Sequence, residues 1–382
     1  MSRSEFGKLG LDDCITKELS AEGITKPFPI QAAAIPAAVE GRDVLGRGPT
    51  GSGKTFTFGL PMIQLLRRGA SRPKKPRGVV LVPTRELATQ VRSRLDPIAN
   101  AAGQRLLEVV GGVKIQRNIT ALARPVDILV ATPGRALDLL RQGMLDFNDV
   151  KVVAIDEADQ MADMGFLPQV TKLLDEMPKN AQHLLFSATL DGDVQVLVDK
   201  YMRDPVTHST GEATASVDTM RHLLGVVNSR EERNELVITI GKLRKRTVMF
   251  MRTKYAVDRQ VKKLVRAGVP AVGIHGNKGQ NTRQNALNQF TQGENSVLVA
   301  TDIAARGIDV KDVELVVHID PPAEHKAYVH RAGRTARAGA SGTVVTLTSA
   351  EDQRATEKMM AKAGVHPTVL SGSNLVANLK NS

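Results

Sequence analysis

The stretch Asp43-Val-Leu-Gly-Arg-Gly-Pro-Thr-Gly-Ser-Gly-Lys-Thr55 decides the fold class of this chain. A short apolar run leads at once into a glycine-rich turn, and helix-forming residues follow Lys54. Residues 48–55 match the full pattern G-x-x-x-x-G-K-[ST], whose glycine N–H groups surround phosphate oxygens at the positive end of a helix. A plain glycine-rich turn is the alternative. The sequence therefore predicts a strand, a phosphate-binding loop and a helix, with Lys54 on the phosphates and the Thr55 hydroxyl on Mg²⁺.

Short apolar runs alternate with longer amphipathic stretches on both sides of this loop. They are rich in Val, Ile and Leu and bounded by Gly, Pro or charged residues, a pattern typical of parallel strands with crossover helices. The runs are Asp43–Leu45, Val79–Val82, Ile128–Val130, Val152–Ile155, Leu184–Phe186, Val248–Met251, Val272–Ile274, Val297–Val299, Leu315–Ile319 and Val344–Leu347. We therefore predict an α/β protein with two doubly wound, mostly parallel sheets.

The length of 382 residues also favours two domains. A small, polar stretch at residues 208–219 lacks large apolar side chains and is predicted to be a linker. The first domain then covers residues 1–207, the second covers residues 220–360, and residues 361–382 form a short C-terminal tail.

The amino-acid composition indicates which kinds of partner and which cellular compartment to expect. The net charge of +12 favours a polyanionic partner such as nucleic acid, although a solvated basic surface would have the same charge. Cys14 is the single cysteine, which excludes an internal disulfide and favours the cytoplasm. We see no signal peptide and no apolar run long enough to span a membrane. Aromatic residues make up 3%, so an aromatic platform for stacking bases is not expected.

Most polar clusters begin where an apolar run ends, and ligands of parallel sheets bind at that edge. Asp156-Glu157 follows one such run. One carboxylate can hold Mg²⁺ through water while its neighbour orients and deprotonates an attacking water. Two adjacent acids could instead cap the next helix, but the phosphate-loop pattern upstream favours the catalytic interpretation.

The stretch His330-Arg-Ala-Gly-Arg-Thr-Ala-Arg337 carries three arginines at near-helical spacing. Such arginines can stabilise charge on a transferring γ-phosphate. A basic helix face turned to solvent or to RNA explains the spacing equally well.

Taken together, these motifs resemble, in order and over almost the whole chain, the DEAD-box RNA helicases, whose defining tetrad is Asp156-Glu157-Ala158-Asp159. The resemblance implies two tandem RecA-like domains that share one ATP site, with Mg²⁺ as cofactor and RNA as partner. It assigns catalysis to Lys54, Asp156, Glu157, Arg334 and Arg337. It assigns nucleotide binding to Phe6, Gln31, Thr50, Gly51, Ser52, Gly53, Lys54, Thr55, Gly307 and Asp309. Mg²⁺ would be held by Thr55 and Asp156, partly through water.

The resemblance also implies an RNA surface and a coupling set. RNA binding would fall to Pro83, Thr84, Arg85, Gly112, Thr132, Gly134, Arg135, Arg252, Arg283 and Thr301. Coupling of ATP state to RNA would fall to Asp159, Ser187, Thr189, His330 and Arg331. Hydroxyls, guanidiniums and glycine amides contact the RNA backbone, so RNA binding is predicted to be insensitive to sequence.

Four positions depart from the commonest family pattern. Ile24 lies where an aromatic residue often stacks on adenine, and Phe28 replaces a small hydroxyl residue. Gly48 replaces an alanine, and Ala336 replaces a glycine. None of these changes removes a charged or catalytic group, so they bear on affinity for ATP and leave the reaction intact.

The sequence thus predicts an ATP-dependent RNA helicase. A DNA-directed helicase and an RNA clamp that does not hydrolyse ATP are the alternatives. Asp159 argues against the first, because translocating relatives often have His there, and Glu157 argues against the second.

Overall fold

The computed structural model describes residues 4–48, 52–190, 192–209, 220–243, 245–294, 296–305, 313–336 and 342–380. The chain divides into two compact units, Met1–Ala213 and Thr214–Ser382. The division falls inside the predicted linker, residues 208–219. Residues 210–219 lie outside the described residues, whereas His208 and Ser209 belong to a strand.

The first unit begins with a 3-10 turn at Gly7–Leu9 and then alternates helices and strands. Its strands are β1 Val44–Arg47, β2 Gly78–Leu81, β3 Leu106–Val109, β4 Ile128–Ala131, β5 Val152–Ile155, β6 Gln182–Ser187 and β7 Val206–Ser209. Its helices are α1 Asp13–Ala21, α2 Pro29–Val39, α3 Lys54–Leu66, α4 Arg85–Ala101, α5 Ile115–Leu122, α6 Pro133–Arg141, α7 Ala158–Asp163, α8 Leu167–Asp175 and α9 Gly192–Tyr201.

These strands form one parallel sheet in the order β3-β4-β2-β5-β6-β1-β7. Helices cover both faces, so the central strands are buried on both sides and read as continuous apolar runs. Within β5, Val152 and Ala154 pack into one hydrophobic cluster, and Val153 and Ile155 pack into the cluster on the other face. This alternation follows from the two-residue period of a strand.

The second unit repeats this plan. Its strands are β8 Met220–Val227, β9 Thr247–Phe250, β10 Ala271–Ile274, β11 Val297–Ala300, β12 Leu315–His318, β13 Gly342–Ser349 and β14 Thr368–Ser371. Its helices are α10 Arg230–Gly241, α11 Lys254–Arg266, α12 Gln280–Thr291, α13 Asp302–Ala305, α14 His325–Ala332, α15 Gln353–Lys362 and α16 Gly372–Lys380.

The second sheet is also parallel, in the order β10-β11-β9-β12-β13-β8-β14. Counted from the first strand of each unit, the two orders are the same. Hydroxyl side chains cap several helices that lead away from the strands. Thr253 accepts a hydrogen bond from Ala256 N (3.2 Å) at the start of α11, and Ser229 accepts one from Glu232 N (3.0 Å) at the start of α10.

The prediction of two parallel α/β sheets is confirmed, and each predicted apolar run overlaps a strand. The structure differs at the C-terminus, where residues 361–382 were expected to form a tail. Strand β14 pairs with β8, and Leu375 and Leu379 of α16 are fully buried. The tail prediction is therefore wrong for the described residues up to Lys380. The linker also begins later than predicted, because β7 continues through Ser209 and pairs with β1.

In the described parts of the chain, no helix is long and apolar enough to cross a membrane.

Candidate functional site

The carboxyl ends of β1, β6 and β5 place three motifs side by side, because these strands are neighbours in the sheet. The backbone N–H of Gly48 donates to Ser187 O at 3.2 Å, which ties the loop after β1 to the end of β6. Lys54 begins α3, and Asp156 and Glu157 follow β5 directly. The structure thus brings together polar side chains that are a hundred residues apart in the sequence.

Lys54 is the centre of this cluster, and its side chain is only 5% exposed. Its ammonium donates to Gly48 O and to Glu157 Oε1, both at 3.1 Å, and lies 3.7 Å from Asp156 Oδ1. Burial by itself lowers the pKa of this ammonium, but Glu157, Asp156 and Asp159 outweigh burial and hold the pKa above its ordinary value. Lys54 therefore stays charged at neutral pH.

Burial has the opposite outcome for Asp156. It raises the pKa of this carboxyl, and Glu157 adds to the rise, while Lys54 opposes it; the resulting pKa is about 7. Oδ1 of Asp156 also accepts a hydrogen bond from Glu157 N at 3.0 Å. Near neutral pH this carboxyl is thus poised between its neutral and charged forms, and a bound cation would favour the charged form.

Glu157 adopts a left-handed backbone conformation, with φ of 56°. Residues other than glycine rarely adopt this region, and at functional sites such strain is maintained by the surrounding structure. Ala336, where the family pattern favours glycine, also has a positive φ of 53°. The two strained positions lie in two different predicted phosphate-contacting motifs.

Gln31 is buried and joins α2 to the phosphate loop. Its Nε2 donates to Gly53 O at 3.0 Å, and its Oε1 accepts from Phe28 N at 2.9 Å. An amide has two donor hydrogens and two acceptor lone pairs, so one of each stays available for an adenine edge. The Ser52 hydroxyl is buried without a hydrogen-bond partner among the described residues. Phe6 is 2% exposed and packs in the hydrophobic core of the first unit. Its role in nucleotide binding stays a prediction.

Asp159 connects the tetrad to the end of β6. Its backbone N–H donates to Ser187 Oγ at 3.1 Å. Its Oδ2 accepts from Thr189 N at 3.2 Å and from Thr189 Oγ1 at 3.4 Å. The three residues expected to couple ATP state to RNA in the first unit are thus in direct contact, and the coupling role itself stays a prediction.

Two arginines predicted to bind RNA lie in different surroundings in the first unit. Arg85 lies against Gly112, where an added Cβ would clash with its guanidinium. Arg135 donates to Asn118 Oδ1 at 2.6 Å and to Val113 O at 2.9 Å. The guanidinium of Arg135 is therefore oriented before any ligand arrives.

Other predicted RNA residues of this unit lie at helix starts. Thr84 accepts a hydrogen bond from Leu87 N at 3.3 Å and so caps α4. Thr132 precedes α6, whose first residues include Pro133 and Gly134. Pro83 lies two residues after the end of β2.

In the second unit, Arg331 is a buried structural clamp. Its Nε and Nη2 donate to the two oxygens of Asp302 at 2.5 and 2.7 Å, and its Nη1 donates to Asp320 O at 2.8 Å. Its guanidinium carbon also lies 5.1 Å from the centre of the Phe250 ring. Arg331 therefore orients α14, which carries His330 and precedes Arg334.

The remaining predicted residues of the second unit lie after strands, on α12, or on and just after α14. His330 and Arg334 line one shallow pocket together with Asp302 and Ala305. Arg252 is exposed just after β9, Thr301 follows β11, and Arg283 is buried on α12. Five predicted site residues lie outside the described residues: Thr50, Gly51, Gly307, Asp309 and Arg337.

Two positioning residues were not predicted from the sequence. Asn118 holds Arg135, and Asp320 accepts hydrogen bonds from Arg252 N (2.9 Å) and Arg233 Nη1 (3.3 Å). Asp320 follows the apolar run of β12, so the rule that polar residues after a strand line the site would have found it. Asn118 lies inside α5, and nothing local in the sequence marks it.

Comparison with known proteins agrees with this geometry. Residues 28–197 match the family described as DEAD/DEAH box helicase, and residues 232–339 match the helicase conserved C-terminal domain. The ATP-dependent RNA helicase DBP2 of Eremothecium gossypii is 39% identical over 349 residues, covering 90% of this chain and 63% of the relative. The DEAD-box ATP-dependent RNA helicase 53 of Oryza sativa subsp. japonica is 36% identical, covering 92% of this chain and 59% of the relative. This chain thus spans less than two thirds of either relative.

Solved structures give the same family. A DEAD box protein from the hyperthermophile Methanococcus jannaschii is 31% identical, with a TM-score of 0.55, covering 96% of this chain and 98% of that protein. S. cerevisiae Dbp5 bound to RNA and ADP BeF3 is 25% identical, with a TM-score of 0.83 and 99% coverage of both chains. With Lys54, Asp156 and Glu157 together at the strand ends, and with a DEAD box protein 31% identical and covered over 98% of its length, this chain belongs to the DEAD-box family, and its units are the two RecA-like domains of that family.

Proposed function

We propose that this chain is an ATP-dependent RNA helicase, in which RNA-stimulated hydrolysis of ATP drives local strand separation. The observation that carries the proposal is the buried cluster of Lys54, Glu157 and Asp156 at the end of β5 and the start of α3. A charged ammonium between two carboxylates, beside a glycine-rich loop, suits a triphosphate and its metal ion.

The residues present fit ATP and Mg²⁺. The buried Ser52 hydroxyl has a donor hydrogen to give, and a phosphate oxygen would satisfy it. Thr55 and Asp156 offer the hard oxygen ligands that Mg²⁺ prefers, in part through water. When bound, Mg²⁺ would neutralise charge on the β- and γ-phosphates. Gln31 would contact the adenine edge with its remaining donor and acceptor, and Gly307 and Asp309 would contribute further nucleotide contacts.

Glu157 would orient the attacking water and accept its proton, since its carboxylate lies next to the Lys54 ammonium that would contact the γ-phosphate. Arg334 and Arg337 would stabilise the charge that develops on the transferred phosphoryl group.

RNA would be held by its backbone. Arg85, Arg135 and Arg252 supply guanidiniums, and Thr132 and Thr301 supply hydroxyls at the strand ends. Such groups contact phosphates and sugars and carry no sequence information. We therefore propose binding that is insensitive to RNA sequence and sensitive to salt.

Phosphate release by the full chain, with and without RNA, tests the proposal. We expect RNA to stimulate release in the wild type, Lys54→Ala to abolish it, and Arg334→Ala to lower it by about 10³-fold or more. Arg354→Ala, at an exposed arginine of α15, is the control and leaves it unchanged. Undiminished turnover in Lys54→Ala would refute the ATP site.

Strand displacement separates the alternatives. A helicase of this proposed class displaces a strand from a short RNA duplex. Displacement of DNA duplexes alone would favour a DNA-directed enzyme, and ATP-dependent RNA binding without phosphate release would favour a clamp.

A cytoplasmic location is also part of the proposal. Its support is the single cysteine, Cys14, which can form no disulfide within the chain.

A further inference from the structure

Helix α11 of the second unit presents a stripe of four side chains that the proposed mechanism does not use. Tyr255, Arg259, Lys262 and Arg266 follow the spacing i, i+4, i+7 and i+11, which aligns them on one side of a helix. All four are exposed, and Tyr255 is 73% exposed. We call these four residues the α11 stripe.

The three cations of the stripe are available to a ligand. Arg259, Lys262 and Arg266 form no ion pair with any residue in the described ranges. The carboxylate of Asp258, at the edge of the stripe, is already taken, because its two oxygens lie 3.0 Å from His275 Nε2 and 3.5 Å from Lys278 Nζ. The stripe therefore has a net positive charge that its own helix does not neutralise.

Tyr255 adds an aromatic ring to this charge. The Lys254 ammonium lies 5.2 Å from the centre of the Tyr255 ring, a distance at which a cation and an aromatic ring attract each other. Most of the Tyr255 side chain still faces solvent. Open aromatic rings among basic side chains are the combination that binds single-stranded nucleic acid, because every base has a face that can stack.

The stripe continues from the RNA contacts proposed above. Arg252 lies just after β9, and α11 begins two residues later. At about 1.5 Å rise per residue, Tyr255 and Arg266 are roughly 16 Å apart along the helix. Over that length, each of the three cations can meet a different phosphate of one strand.

We infer that the α11 stripe binds a single-stranded extension of the RNA, with a base stacked on Tyr255 and phosphates on Arg259, Lys262 and Arg266. This inference rests on the proposed RNA-binding function and extends it beyond the family motifs. We assign the stripe to an RNA strand that continues beyond the contacts made by the family motifs. The positive charge and the exposed ring of the stripe suit a strand with free bases better than a duplex, because the bases of a duplex are already stacked on one another.

The test compares two oligouridylates, of about 6 and about 16 nucleotides, by fluorescence anisotropy with full chain and a non-hydrolysable ATP analogue. In the triple variant Arg259→Gln, Lys262→Gln and Arg266→Gln, we expect about tenfold weaker binding of the long RNA and unchanged binding of the short RNA. The slope of log affinity against log salt for the long RNA should fall by roughly 2, at ~0.7 for each lost phosphate contact.

A matched control removes the same charge elsewhere on the second unit. This control variant carries Arg354→Gln, Lys358→Gln and Lys362→Gln, at three exposed positions of α15. It should bind the long and the short RNA with nearly the affinities of the wild type. Tyr255→Ala should weaken binding of the long RNA by several-fold, and Tyr255→Phe should restore it, because stacking needs only the ring.

The outcomes are distinguishable. If the long RNA loses no more affinity in the α11 variant than in the α15 control, the stripe is a solvated surface and the inference is overturned. If binding of the short RNA weakens as much as binding of the long RNA, the stripe attracts RNA only through its overall charge. That result would also overturn the inference. Absence of ATP-dependent binding of both RNAs by the wild type would overturn the proposed function, and this inference with it.

Discussion

Lys54 Nζ lies 3.1 Å from Glu157 Oε1, so the residue expected to bind phosphate is paired with the residue expected to activate water. Both side chains are at most 10% exposed, and their ion pair is therefore little screened by solvent. For Lys54 to reach a phosphate, this contact has to loosen. The arrangement makes ATP binding compete with an internal ion pair.

Glu157→Gln should therefore bind ATP more tightly than the wild type, by roughly tenfold or about 1.4 kcal/mol, because an amide holds the ammonium less strongly. It should also slow hydrolysis by about 10²–10⁴-fold, since an amide cannot accept the proton of the attacking water. Titration with a fluorescent ATP analogue and a phosphate-release assay measure the two effects. Glu176→Gln, at an exposed position, is the control and should change neither. Weaker ATP binding in Glu157→Gln would show that ATP does not compete with the ion pair between Lys54 and Glu157.

Asp156 predicts a pH dependence of stability in the absence of ligand. Its pKa is raised from 3.8 to about 7, so between these values the folded chain binds more protons than the unfolded chain. Its contribution to the free energy of unfolding therefore falls as pH rises from about 4 to about 7, and then levels off. The difference in unfolding free energy between wild type and Asp156→Asn, measured in urea across this range, isolates the effect. A difference that is independent of pH would show that the pKa is not raised.

Gly112→Ala should weaken RNA binding through Arg85. Gly112 has φ of 75°, and an added Cβ would meet the Arg85 guanidinium. We expect about tenfold weaker RNA binding, the scale of one charge-assisted hydrogen bond, with ATP affinity unchanged. Gly103→Ala is a matched control, because Gly103 has φ of 73° and no atom within 4 Å of the added Cβ. Both variants carry similar backbone strain, so equal RNA affinities would exclude a role for the position of Arg85.

Leu375→Ala tests whether residues after Lys362 belong to the folded second unit. Leu375 is fully buried in the hydrophobic cluster that includes Leu236 and Leu347, so its truncation should lower the free energy of unfolding of this unit by about 2–5 kcal/mol. Val369→Ala, at a residue 43% exposed, should cost less than about 0.5 kcal/mol. If both variants lower the free energy of unfolding by the same small amount in chemical denaturation, residues 361–382 would again be interpreted as a tail.

The strands that the sequence predicted are those with continuous apolar runs, because they are buried on both faces. Four strands were missed. Strands β3, β7 and β14 lie at sheet edges, where one side has no strand neighbour. Strand β8 (MRHLLGVV) lies between β13 and β14, and Arg221 and His222 interrupt the apolar run near its start. Strands β7 (VTHS) and β14 (TVLS) are partly polar and largely exposed, so they lack the apolar signal.

At the site, the sequence predicted which residues lie at the strand ends but not how they pair. Lys54 with Glu157, and Asp159 with Thr189, join positions that are far apart in the chain. Arg331 was assigned to coupling by resemblance, yet its bidentate contact with Asp302 depends on how α14 packs beside α13. Pairings of this kind follow from tertiary packing, which local patterns do not encode.

The shared strand order has a consequence for how the chain folds as it is made. In each sheet the first strand lies between the last two, with β1 between β6 and β7 and β8 between β13 and β14. Strand β8 therefore emerges from the ribosome about 140 residues before β14, and β1 about 160 residues before β7. Pairings of such long sequence separation form slowly, because the loop must close first. We expect each unit to complete its sheet only after its whole length has been synthesised, which makes the nascent units natural clients of chaperones.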